Sequence, residues 1–144
     1  MNKLLFAIMS IALLAGCKKG DNASSKRDIL TAHDWRVNAM YVDGEKQTLT
    51  ECITNYIYQF KGDNTGTLDY GAMCQGTNAA PEKFSWNLDE GANTLKMDFN
   101  RTSGTKTWYY SLPVFTSDRI LLRTKLVSTT DSSKSDLDTE LVTK

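Results

Sequence analysis

Charge of one sign in excess is what this 144-residue chain lacks first: Lys+Arg and Asp+Glu both number 17. A basic nucleic-acid footprint and a polyacidic tail are both excluded as organising features. Histidine is nearly missing as well, since His33 stands alone. Nucleophilic catalysis needs a base held beside a Ser, Thr or Cys. His33 precedes the strand-forming part of the chain and reads as a solvated or capping residue beside Trp35. No C-x-x-C spacing accompanies it, so neither a zinc site nor a redox motif is indicated. No glycine loop follows a strand to hold phosphate. No helical pattern is long enough to cover a parallel sheet. Proline is scarce, with only two, while Thr, Tyr and Trp are plentiful and favour pleated, half-buried surfaces, which leans the reading toward β. The chain therefore reads as non-enzymatic, with no cofactor, no metal and no nucleic acid.

A bilayer-spanning run is also missing. Leu4 to Leu14 is apolar but too short, because a spanning helix needs about 20 residues. Lys3 precedes it and the small residues Ala15 and Gly16 follow. Residues 1–16 thus read as a signal peptide. Leu14-Ala15-Gly16-Cys17 resembles the bacterial lipobox, and that resemblance implies cleavage before Cys17 and lipidation of its thiol. Several acyl chains, at roughly 0.8 kcal/mol per buried methylene, would anchor the product stably. Residues 17–25 then form the lipidated cysteine and a polar tether. Lys18-Lys19-Gly20-Asp21 partly resembles the surface-export signals of Bacteroidetes-type lipoproteins. The expected location is the cell envelope, on the outer membrane. Periplasmic and surface placement both stay open.

From Lys26 to the end, one domain is expected. Ser25 to Leu30 opens a short helical turn, with Ser24 or Ser25 as its N-cap, that leads into Thr31–Trp35. Beyond it the apolar period is two. Trp35, Val37, Ala39 and Tyr41 share a face. So do Tyr56, Tyr58 and Phe60, then Leu68, Tyr70 and Ala72, then Phe84, Trp86 and Leu88. Leu95, Met97 and Phe99 follow, then Trp108, Tyr110 and Leu112, then Ile120, Leu122, Thr124 and Leu126. The polar loop Ser128–Ser135 leads to a weak last strand with Leu137, Thr139 and Leu141. Turn signals such as Asp43-Gly44 separate neighbours. The expected fold is all-β: an antiparallel meander of about eight strands. It closes into a small barrel, or into a flattened barrel close to a sandwich.

If Cys17 carries lipid, Cys52 and Cys74 remain as an even pair in an oxidising compartment, where a disulfide is the default. A hairpin turn centred on Asp63 pairs Phe60 with Gly66, Tyr58 with Leu68 and Tyr56 with Tyr70. An unbroken ladder in this register also sets Cys52 opposite Cys74. Closing that loop is worth roughly 3 kcal/mol.

Several of these features together resemble the lipocalin-like lipoproteins of Bacteroidetes-type bacteria over residues 27–127. They are Leu30-x4-Trp35, Asp43-Gly44, Cys52 ahead of Tyr56-x3-Phe60, and Gly62-Asp63-x2-Gly66. Cys74, Phe84-x-Trp86-x-Leu88 and Asp118-Arg119-Ile120-Leu121-Leu122 complete the set. The resemblance implies a small antiparallel barrel. The strand around Leu137–Leu141 is poorer than the family pattern.

One constellation is left to carry function. Tyr56, Tyr58, Tyr70, Phe84, Trp86, Trp108 and Tyr110 face one way. They either fill the core or line a pocket for a small apolar or sugar-like ligand. The alternative is a protein-binding module with a filled barrel, a surface accessory or an inhibitor, which would use an envelope protein as partner. A projecting loop such as Gln75–Pro81 would serve that role.

Overall fold

A computed structural model describes residues 24–75, 80–128 and 132–144. The expected signal peptide, Cys17 and the tether as far as residue 23 lie outside the described residues, as do residues 76–79 of the loop Gln75–Pro81. In chain order the elements are α1 (Lys26–Ala32), β1 (Asp34–Val42), β2 (Glu45–Lys46), α2 (Glu51–Thr54), β3 (Ile57–Phe60) and β4 (Thr65–Asp69). Then come α3 (Ala72–Gln75), β5 (Glu82–Asp89), β6 (Thr94–Arg101), β7 (Gly104–Phe115), β8 (Arg119–Val127) and β9 (Lys134–Thr143). The strands form one antiparallel sheet in the order β2-β1-β3-β4-β5-β6-β7-β8-β9, and a β1–β9 pairing closes it. Eight strands make the barrel, as the alternation implies. The two-residue β2 pairs with β1 beyond the Asp43-Gly44 turn and was not expected. Both turn residues take positive φ, 48° and 87°, which suits a hairpin turn of mirror-image type.

The short helix closes one end. Ser25 caps α1 through a reciprocal box: Asp28 N–H donates to Ser25 Oγ at 3.0 Å, and Ser25 N–H to Asp28 Oδ2 at 3.1 Å. Leu30 is fully buried, and Trp35 Nε1 donates to its carbonyl at 2.9 Å, which stitches the helix to the first strand. Arg27 donates to Gly62 O at 2.8 Å and to Asn64 Oδ1, and its guanidinium lies 4.8 Å from the Trp86 ring centroid. Lys26 Nζ reaches Asn93 Oδ1 at 2.7 Å. One helical face thus ties β1 to the β3–β4 and β5–β6 turns. His33 caps the end of α1 with its ring edge-on to Trp35 at 6.2 Å, in the structural role expected of it.

The core is aromatic and aliphatic. Leu30, Trp35, Phe60, Phe84, Trp86, Leu95, Met97, Leu112, Ile120 and Leu141 are among its buried residues. Two irregularities set what faces it. A bulge between Val37 and Ala39 in the β1–β9 ladder shifts the phase of β1. Met40 therefore packs on the core, while Tyr41 pairs with Asp138, against the expectation that Tyr41 continues the inner face. The β7–β8 ladder shifts between Ser111 and Val114, around Pro113, a residue with no N–H to contribute.

Closure at β9 is stronger than its sequence suggests. Lys134 already belongs to β9, so the expected loop Ser128–Ser135 is shorter and the strand longer. Leu141 fills the inner face. On the outer face Arg123 grips Asp138 with two bonds of 2.7 Å, and Arg119 Nε reaches Glu140 Oε2 at 2.8 Å. Lys125 pairs with Asp136 at 2.5 Å. Asn38, at the β1 bulge, donates to Glu140 Oε1 at 2.5 Å. Asp138 and Glu140 are each 6% exposed, so removing one of their partners would leave a poorly solvated charge.

Gly66 marks the tightest contact in the wall. A Cβ there would collide with the Phe84 ring and stand 2.6 Å from Gln59 O. Gly66→Ala is therefore expected to lower stability by about 1–3 kcal/mol, or more, through overpacking. Urea unfolding at constant m-value measures this. A change within about 0.5 kcal/mol would show that the β3–β4–β5 wall is looser than described.

Candidate functional site

β3 and β4 are the shortest of the barrel strands. The wall they make stops early, and the chain leaves it through helical turns: α2 enters β3, and α3 follows β4. The ladder holds the expected register from Phe60↔Gly66 to Ile57↔Asp69. It does not continue to the cysteines. Gly71 at φ 72° breaks the path after Tyr70, so the expected run to Ala72 ends early. Cys52 and Cys74 are disulfide-bonded, as expected, but across α2 and α3 rather than across paired strands, with Cα atoms 5.1 Å apart. The bridge holds the two turns together at the open end of the barrel. Just inside it the rings of Tyr56 and Tyr70 meet edge-to-face at 4.8 Å.

The seven aromatics of the expected constellation divide by depth. Phe84 and Trp86 are each 3% exposed and form the floor, with Phe84 against Phe60 at 5.4 Å and Trp86 against Phe60 at 5.6 Å. Trp86 Nε1 is satisfied by Thr65 O at 2.9 Å. Tyr56, Tyr58, Tyr70, Trp108 and Tyr110 rest on this core but keep part of their surface exposed. Tyr58 lies near-parallel to Phe60, at 6.4 Å and 14°. Trp108 and Tyr110 stack along β7 at 6.4 Å and 21°. Met40 joins them because of the β1 bulge. By strand parity with buried Leu122 and Leu141, half-buried Leu126 and Leu137 belong to the same inner face.

Three charged residues sit at the lip, on neighbouring strands, and sequence reasoning did not single them out. Glu82 accepts from Arg101 Nε at 2.5 Å, from Arg101 Nη2 at 3.0 Å and from the Tyr70 hydroxyl. Lys106 Nζ stands 4.3 Å over the Trp108 ring. An open groove of about 580 Å³ crosses the lip along Tyr70, Glu82, Asn100 and Arg101. The signal for these three was parity. Glu82 is in phase with Phe84 and Trp86, Arg101 with Phe99 and Met97, and Lys106 with Trp108, so each apolar face ends in a charge.

The β7–β8 ladder ends at Ser111↔Arg123, so the wall parts above that point. A groove of about 430 Å³ lies on its outside, between Tyr109, Ser111, Arg123 and Lys125. Tyr109 is 68% exposed.

The electrostatics follow from burial and from these partners. The Arg101 guanidinium holds the Glu82 carboxyl below its usual range, helped by the Tyr70 hydroxyl and opposed by burial. Burial raises Tyr70, with Glu82 adding to it. Burial also raises Tyr58, followed by the fields of Tyr110, Tyr70, Tyr56 and Glu82. Tyr110 is pushed up to about 12 by burial. Neutral phenols, one ionised carboxylate held by a guanidinium, and aromatic faces are suited to binding.

A family model described as a lipocalin-like domain matches residues 31–121, which spans every aromatic of the constellation. No curated protein matches the chain.

Both pH extremes weaken this cluster. The folded pKa of Glu82 lies below its ordinary 4.5, so its stabilisation is complete above that value and lost as pH falls through the folded one. The tyrosines lie above their ordinary 10.0, so their share is complete below it and lost as pH rises further. The urea midpoint is expected to be flat between about pH 5 and 10 and to fall on both sides. Glu82→Gln should shallow the acid limb and Tyr110→Phe the alkaline limb. Limbs unchanged by these substitutions would place the titrating groups elsewhere.

Proposed function

Since the chain belongs to the lipocalin-like domain family, we propose that it is a non-enzymatic binding protein whose upper barrel takes one small ligand. The observation that carries this is the division of the lumen. Trp35, Phe60, Phe84 and Trp86 are buried, while Tyr58, Trp108 and Tyr110 on the same inner face remain partly exposed. Small-molecule sites combine apolar and aromatic walls with a few placed polar groups, and this space has both. An eight-stranded barrel is wide enough for one small guest.

The lipobox-like residues 14–17 support lipid attachment at Cys17 and a place on the outer membrane of the cell envelope. Because α1 lies over the closed end, a tether from Cys17 would meet the barrel there. The mouth would then open away from the bilayer, toward the aqueous phase or a partner. A second reading, a protein-binding module, rests on the exposed ring of Tyr109 between grooves on both sides. Tyrosine is among the residue types enriched at binding hot spots.

Titration with the uncharged fluorophore N-phenyl-1-naphthylamine tests the ligand reading. The expected result is a saturable one-to-one signal, weakened about fivefold or more by Trp108→Ala and unchanged by Tyr109→Ala. No saturable signal, or loss through Tyr109 alone, would favour the protein-binding reading. Cys17→Ser is expected to abolish fatty-acid labelling and to move the protein from the detergent phase to the aqueous phase. Labelling that persists would remove the anchor from the account.

A further inference from the structure

We propose that the opening between β7 and β8 is a docking site for an extended peptide of a partner protein, which adds a strand to the free edge of β7. The site lies in the wall of the barrel and does not depend on a guest in the lumen.

The ladders define the opening. β7 pairs with β6 from Arg101↔Gly104 to Thr94↔Ser111. β8 pairs with β9 along its whole length, from Arg119↔Val142 to Val127↔Lys134. With each other, β7 and β8 pair only from Phe115↔Ile120 to Ser111↔Arg123. Gly104–Tyr110 of β7 and Thr124–Val127 of β8 therefore each hold a single neighbouring strand. The groove of about 430 Å³ sits at this opening, with Tyr109 and Ser111 on one side and Arg123, Thr124 and Lys125 on the other.

Backbone direction gives the opening its chemistry. In a strand the N–H and C=O of one residue point to one edge, and those of the next residue to the other. Leu112 N–H donates to Asn93 O at 3.0 Å, and Leu112 O accepts from the Asn93 amide, both on the β6 side. Ser111 pairs with Arg123 on the β8 side. By alternation Thr105, Thr107 and Tyr109 direct both backbone groups into the opening. On β8, Ser128 N–H donates to Ser133 O at 2.9 Å on the β9 side, so Lys125 and Val127 face the opening too. All of these opening-facing residues are exposed. A row of N–H and C=O groups with no strand beside it is a template for another strand. In such additions main-chain bonds supply the affinity and alternate side chains the selectivity.

Side chains state what the guest carries. Gly104–Tyr110 has no proline, and its Thr, Trp and Tyr residues suit a strand. Lys106, Trp108 and Tyr110 face inward. Lys106 has no ion partner among the described residues and rests over the Trp108 ring at 4.3 Å. A guest strand antiparallel to β7 thus places an acid opposite Lys106 and apolar side chains opposite Trp108 and Tyr110, with polar residues between them. The cations outside the opening call for no further charge, because Arg123 holds Asp138 and Lys125 holds Asp136. A partner protein is the source that fits. Neither Gly104–Tyr110 nor Thr124–Val127 contains an acid, so a second copy pairing edge to edge leaves Lys106 unmatched. The polar residues 18–25 of this chain lack the apolar alternation.

The test titrates the full chain carrying Cys17→Ser into a fluorescein-labelled peptide, Ser-Val-Thr-Ile-Thr-Glu-Ser, and reads anisotropy. Its valine, isoleucine and glutamate then stand opposite Tyr110, Trp108 and Lys106. Saturable binding is expected. Methylating the backbone nitrogens of the two threonines, which face β7 in this register, should weaken binding about tenfold or more. Methylating those of valine and isoleucine, which face away, should change it by less than about threefold. Lysine in place of the glutamate should weaken binding about threefold or more, and Lys106→Glu should restore it. Amide exchange of the free protein tests the opening itself. Thr107 and Tyr109 are expected to exchange fast and to slow when the peptide is added, with Trp108 and Tyr110 protected throughout. No saturable binding, or binding indifferent to which nitrogens are methylated, overturns the proposal. So does slow exchange of Thr107 and Tyr109 in the free monomer, or a dimer of this chain that slows them. The N-phenyl-1-naphthylamine titration reads the lumen separately. Peptide binding without fluorophore binding removes only the ligand reading, and fluorophore binding without peptide binding removes only this proposal.

Discussion

β9 pairs along both edges, with β8 from Arg119↔Val142 to Val127↔Lys134 and with β1 from Trp35↔Thr143 to Val42↔Leu137. Without it, β8 and β1 would present free edges and the lumen would open on its long side. Its inner face supplies Leu141 to the core, and its outer face supplies Asp136, Asp138 and Glu140 to basic residues of β8. Such pairs contribute little net energy when exposed, and break-even energy when buried. Their effect here is on register. A one-residue slip of β9 would bring acids to the core and leave Arg119, Arg123 and Lys125 unpaired.

The closed wall is held differently at its two ends. At the α1 end the helix ties β1, through Trp35, to the β3–β4 and β5–β6 turns, through Arg27 and Lys26, over a packed core. At the other end β3 and β4 stop short, and the disulfide between α2 and α3 takes over the job of holding the wall. The cross-link limits the freedom of the segment between its cysteines in the unfolded chain, which stabilises the fold without filling the lumen. The tyrosines near this end keep polar tips in a mostly apolar space, which aromatic side chains with a hydroxyl do at little cost when a partner is supplied.

Much of this could be read from local pattern. Alternation located eight strands, turn residues separated them, and the register around Asp63 was right from Phe60↔Gly66 to Ile57↔Asp69. What escaped depends on distant partners. The bulge at Asn38 arises in the pairing with β9, so the exchange of Tyr41 for Met40 on the inner face has no local sign. β9 looked weak because acids alternate with its leucines, and their complement sits on β8. The cysteines were matched correctly through a ladder that ends before it reaches them, since the helical turns at Glu51 and Ala72 are too short to show a period. Glu82, Arg101 and Lys106 were visible in phase with the aromatics. A search for catalytic sets passes over charges that end an apolar face.

Amide hydrogen exchange resolved along β9 tests the closed barrel most directly. Closure predicts that β9 amides directed to β1 and those directed to β8 are both protected to the level of the core strand β6, with opening near the global unfolding free energy. Fast exchange of the β1-directed set, with the β8-directed set protected, would make β9 an edge strand. The closed ring of eight strands would then have no standing.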